Sequence, residues 1–141
     1  MLPRAAAVFL QAAGITLILL GLLHLLATPN IPHLLDAMPP LAYQHAVGPT
    51  TLNHVLVGLL LLPLGFSTWV AAGSANRNAV WARRILLANA LTVATFPVAL
   101  VIFMRRPEYY HATLFVAAVT LVIVIALCML TAAAIMMRAS K

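Results

Sequence analysis

The stretches GITLILLGLLH (residues 14–24) and HVLVGLLLLPLG (residues 54–65) read as near mirror images. Each holds two glycines seven residues apart, with a histidine three or four residues further on, in opposite chain order. At about 100° per residue, Gly14, Gly21, His24 and Thr28 share one helix face. Thr51, His54, Gly58, Gly65 and Ala72 share another. Two such helices running in opposite directions bring His24 to His54, Gly21 to Gly58 and Gly14 to Gly65. Small residues permit close backbone approach where lipid surrounds a helix pair. The stripes therefore predict a contact between the first two helices, or a slot in which a flat ligand touches both backbones.

The rest of the chain agrees with a membrane setting. Of 141 residues, 65% are hydrophobic and 7% charged, with a mean hydropathy of +1.09. Soluble domains carry about 25% charged residues. A helix crossing a bilayer needs about 20 mainly apolar residues. Four segments qualify, at about 5–28, 51–72, 80–104 and 111–137. The expected architecture is an all-α integral membrane four-helix bundle, antiparallel and up-down-up-down, forming a single domain over 1–141. Met1–Arg4 resembles a short positive leader. The apolar run that follows is longer than a leader's core and has no small-x-small cleavage site, so it reads as an uncleaved first helix.

Lys and Arg set the expected orientation. Arg4, Arg77, Arg83, Arg84, Arg138 and Lys141 fall on one side, and only Arg105 and Arg106 on the other. This places both termini in the cytoplasm of an inner-membrane protein, with the first and third connections facing the periplasm. The net charge of +6 needs no nucleic-acid partner, because anionic lipid headgroups account for it. The lone Cys128 rules out an internal disulfide and reads as a small packing residue.

The connection between the first two spans holds Pro29, Pro32, Pro39, Pro40 and Pro49. Proline limits helix length. Two short helical turns are expected, near Pro32–Met38 and Leu41–Val47, at the membrane interface as a cap or a lid. Thr50 or Thr51 then N-caps the second span. Pro63 and Pro97 each free a carbonyl mid-span. Asn89, Thr92 and Thr95 line the third helix, and an Asn89–Gln11 bridge to the first helix is expected. On the fourth helix, a face with His111, Phe115, Ala118 and Val122 competes for the interior with one bearing Thr113, Ala117, Thr120 and Thr131.

The chemistry-bearing residues sort to one side by this topology. His24, His33, His45, His54, His111, Asp36 and Glu108 all fall at the periplasmic face. His24 and His54, with Gly21 and Gly58 beside them, are the foremost candidates to hold a metal ion or to clamp a haem. His111 is a further candidate ligand. His33 and His45, with Asp36 or Glu108 as carboxylates, form a reserve. Histidines at helix ends also bond carbonyls with no further role, and polar residues gather at membrane edges in any case.

The chain has no Walker loop, GxSxG, Cys-x-x-Cys or His-Glu-x-x-His, which argues against a soluble-style enzyme. Three functions are thus expected to compete. One is a small ligand-binding or accessory subunit with an outward-facing metal or haem site. Another is a structural or assembly subunit without cofactor. The third is a carrier of a small apolar molecule. Other membrane subunits, or further copies of the chain, are the expected partners within the bilayer.

Overall fold

The computed structural model describes residues 2–75, 79–103 and 113–138. Helix α1 spans Leu2–Ala27 and is followed by a 3₁₀ turn, Thr28–Asn30. A short helix α2 covers Ile31–Leu35. Helix α3 then runs from Pro40 to Ala75, α4 from Val80 to Phe103 and α5 from Thr113 to Arg138. No strand occurs among the described residues. The fold class is all-α, with four helices long and apolar enough to cross a membrane, as a four-helix membrane bundle requires.

The proline-rich connection is shorter than the sequence suggests. The expected turn near Pro32 is present as α2. The one over Leu41–Val47 is the opening of α3, which continues through Pro49 and Pro63 for 36 residues. Proline at the first helical position loses nothing, since that N–H has no intrahelical partner anyway. Pro40 uses this freedom, and the Tyr43 N–H closes the first turn onto the Pro39 carbonyl at 2.9 Å. Thr50 and Thr51 are therefore interior residues of α3, not its N-cap.

The chain divides into two compact units, Gly14–Phe66 and the remainder, Met1–Ala13 with Ser67–Lys141. In the second of these, small residues dominate the interior. Ala6, Ala7, Leu10 and Ala13 come from α1, and Ala71, Ala72 and Ala75 from α3. Ala82, Leu86, Ala90 and Val93 are the buried face of α4, at steps of four, four and three. Ile125, Met129, Ala132 and Met136 recur at the same helical steps on α5. Between apolar helices in lipid, such packing replaces the hydrophobic drive that water supplies.

The buried residues of α5 lie in its second half, from Ile125 onward. Of the two faces read from the sequence, Thr113, Ala117, Thr120 and Thr131 are exposed, as is Ala118, Val122 is half-buried, and the surroundings of His111 and Phe115 lie outside the described residues. The Thr120 and Thr131 hydroxyls donate to their own helix, to the Val116 and Leu127 carbonyls at 2.8 Å each. The threonine face is thus satisfied without a neighbour.

The α3–α4 link also differs from expectation. Asn89 does not bridge to Gln11. Its amide donates to the Ser67 and Thr68 hydroxyls of α3, each at 2.9 Å. Thr68 is fully buried. Gln11 instead reaches toward Gly73, where an added Cβ would meet its amide nitrogen at 3.4 Å.

Candidate functional site

The glycine seam that decides the fold also positions the histidines. A Cβ on Gly65 would stand 2.5 Å from the Gly14 carbonyl oxygen. One on Gly21 would meet the Gly58 oxygen at 2.9 Å, and one on Gly58 the Gly21 oxygen at 3.0 Å. The last two contacts are reciprocal, so each glycine faces the other's carbonyl. Residue numbers rise along α1 as they fall along α3, which is the register read from the sequence. The backbones themselves fill the seam, so no flat ligand fits between them at these levels.

One turn beyond Gly21 and Gly58 the helices carry His24 and His54. Their ring centroids lie 4.6 Å apart with the planes tilted by 31°. His24 sits in the last turn of α1. Two side chains reach its carbonyl oxygen. The Thr28 hydroxyl donates to it at 2.8 Å, and the His54 Nδ1–H at 3.0 Å. The Thr28 oxygen also stands 3.3 Å from His54 Nδ1, closing a triangle. The sequence had placed Thr28 on the His24 face. Its spacing of one turn is the usual signal for a hydroxyl that bonds back to its own helix.

These bonds fix the tautomers. A carbonyl oxygen only accepts, so a ring nitrogen facing one must carry a proton. His54 Nδ1 faces the His24 carbonyl, and His24 Nδ1 faces the Leu20 carbonyl at 2.9 Å. Both rings are therefore protonated at Nδ1, and both Nε2 atoms present lone pairs. Metal-ligating imidazoles characteristically donate their other N–H to a carbonyl or carboxylate in this way.

The separation of the rings also limits the ligand. Two imidazoles on opposite sides of one metal, each bonded at about 2 Å, hold their ring centres roughly 6 Å apart. At 4.6 Å the pair is too close to sandwich a haem.

The other described candidates, His33, Asp36 and His45, do not join the pair. His33 and Asp36 face each other at 3.4 Å across one turn at the end of α2, and their side chains are 78% and 62% exposed. His45 is exposed on α3. His111 and Glu108 lie outside the described residues. Among those described, no three His, Cys, Asp or Glu side chains gather closely enough to hold a metal. Among the described residues, the pair supplies two imidazole nitrogens.

No protein family, curated protein or solved structure matches the chain.

Proposed function

We propose that this multi-pass membrane protein is a small accessory subunit that binds a transition-metal ion through His24 and His54. The observation that supports this reading is the matched tautomer: both Nδ1–H groups are committed to carbonyls, which leaves both Nε2 atoms as donors to a metal. Imidazole suits zinc, copper, iron and nickel. Two protein ligands leave positions open, for water, for His111 or for a side chain of a partner subunit. In the orientation set by the arginines, both termini are cytoplasmic and the site opens to the periplasm of an inner membrane. Metal handling or electron transfer is the activity such a site serves.

A specific observation favours a second reading. The His54 bond to the His24 carbonyl is by itself a sufficient reason for a histidine at position 54. In that reading the protein is a structural or assembly subunit, and the imidazole is a clasp between α1 and α3.

One substitution separates the two. The amide nitrogen of Asn mimics His Nδ1 and has no counterpart of Nε2. His54→Asn therefore keeps the clasp and removes the metal donor. Metal content and absorption spectrum are measured on detergent-purified protein loaded with zinc or copper. The metal reading expects near-stoichiometric retention by the wild type and loss in folded His54→Asn and His24→Ala proteins. Equal metal in all three would leave only the clasp. A Soret band would establish haem instead, and would require the rings to move apart.

A further inference from the structure

Away from the histidines, the unit that holds both ends of the chain has an open groove of about 350 Å³ between the start of α1 and the end of α5. Ala5 and Phe9 form one wall, and Cys128, Thr131, Ala132 and Ile135 the other. Ala5, Ala6 and Ala132 line the groove, and Phe9 is 64% exposed. Thr131 adds no polarity, because its hydroxyl is bonded to the Leu127 carbonyl. The lining is accordingly apolar throughout.

Both helices that wall the groove carry an arginine close to the lining residues in sequence. On α5 the lining runs through Cys128, Thr131 and Ile135, and Arg138 follows at the next helical step. On α1, Arg4 directly precedes Ala5. Arg4 and Arg138 are both exposed. Asp36 is the one carboxylate among the described residues, and it belongs to the other unit, beside His33. No acidic side chain described here neutralises the two arginines.

We infer that this groove binds one anionic phospholipid, its acyl chain against Phe9, Cys128 and Ala132 and its phosphate at Arg138 and Arg4. The charge complementarity selects the occupant. A neutral lipid or an apolar helix would satisfy the groove but leave both cations unanswered. A juxtamembrane arginine is worth about fivefold in affinity for an anionic surface. The inference is independent of the metal reading, since no residue is shared.

Native mass spectrometry of the full chain in detergent tests it, with phosphatidylglycerol and phosphatidylcholine of identical acyl chains as probes. The expected result is one phosphatidylglycerol retained per chain in preference to phosphatidylcholine. Arg138→Gln lowers that preference about fivefold, and adding Arg4→Gln abolishes it. Cys128→Phe, at an exposed position, fills the groove and removes the retained lipid, whereas Cys128→Ala keeps it. Circular dichroism and gel filtration establish that each variant is folded. Equal retention of the two lipids, or a preference that survives the double arginine variant, would overturn the inference. So would a Cys128→Phe protein that keeps its lipid but changes oligomeric state, because the groove would then belong to a second copy of the chain.

Discussion

His54 on α3 donates its Nδ1 proton to the carbonyl of His24 in the last turn of α1, 3.0 Å away. One side chain thus ties itself to the backbone of another helix and is oriented by doing so. The consequence for stability is direct. Interhelical bonds in membranes are worth about 0.6–2 kcal/mol. His54→Ala should cost that amount in SDS-driven unfolding, His54→Asn much less, and Thr28→Val an intermediate amount.

The glycine seam gives a sharper contrast. Gly65→Ala would press a methyl group against the Gly14 backbone, which has nowhere to move without parting the helices. Overpacking of this kind costs about 1–3 kcal/mol. Gly58→Ala meets the flexible Leu25 side chain as well as the Gly21 oxygen, so part of its strain can relax. Gly48→Ala meets nothing within 4 Å and should leave stability unchanged or raise it by about 1 kcal/mol through helix propensity. Unfolding midpoints of the three variants should rank Gly65→Ala lowest and Gly48→Ala highest.

The Asn89 bond to Ser67 and Thr68 links α4 to α3 within one unit. Asn89→Leu leaves a buried threonine without that partner and should lower stability by about 0.6–2 kcal/mol. In a double-mutant cycle, Asn89→Leu should couple to Thr68→Val and not to Gln11→Leu. Coupling to Gln11 would restore the bridge expected from the sequence.

Helix α3 begins at Pro40, and its first ten residues make another test. Leu41, Gln44, His45 and Gly48 are exposed, while Tyr43, Ala46 and Val47 are half-buried. Single cysteines placed at these positions in a Cys128→Ala background should react with a water-soluble maleimide in that alternation. Uniformly fast labelling from 41 to 50 would mean that the helix starts later, near Thr51.

These cases show what the sequence can and cannot disclose. The α1–α3 register was legible because glycines and histidines are rare marks on an apolar background and repeat at matching intervals. The start of α3 was not, because Pro40 and Pro49 read as breaks although proline is harmless at a first turn and tolerated later. Asn89 was recognised as a bridging residue, but its partner depended on how α4 is rotated. That rotation, like the buried face of α5, leaves little trace when the lipid-facing and inward-facing sides are equally apolar. Of the site, the meeting of His24 and His54 was legible. The carbonyl that fixes each ring was not, since a backbone acceptor has no letter in the sequence.

The central claim is that His24 and His54 both carry their protons on Nδ1 and offer Nε2 to a metal. Solid-state NMR of ¹⁵N-histidine-labelled protein in bilayers measures this directly, with His24→Ala and His54→Asn for assignment. The account predicts Nδ1-protonated rings for both residues, and on addition of zinc a shift of both Nε2 signals while the Nδ1–H signals persist. An Nε2-protonated ring at either position, or Nε2 signals that ignore the metal, would contradict it.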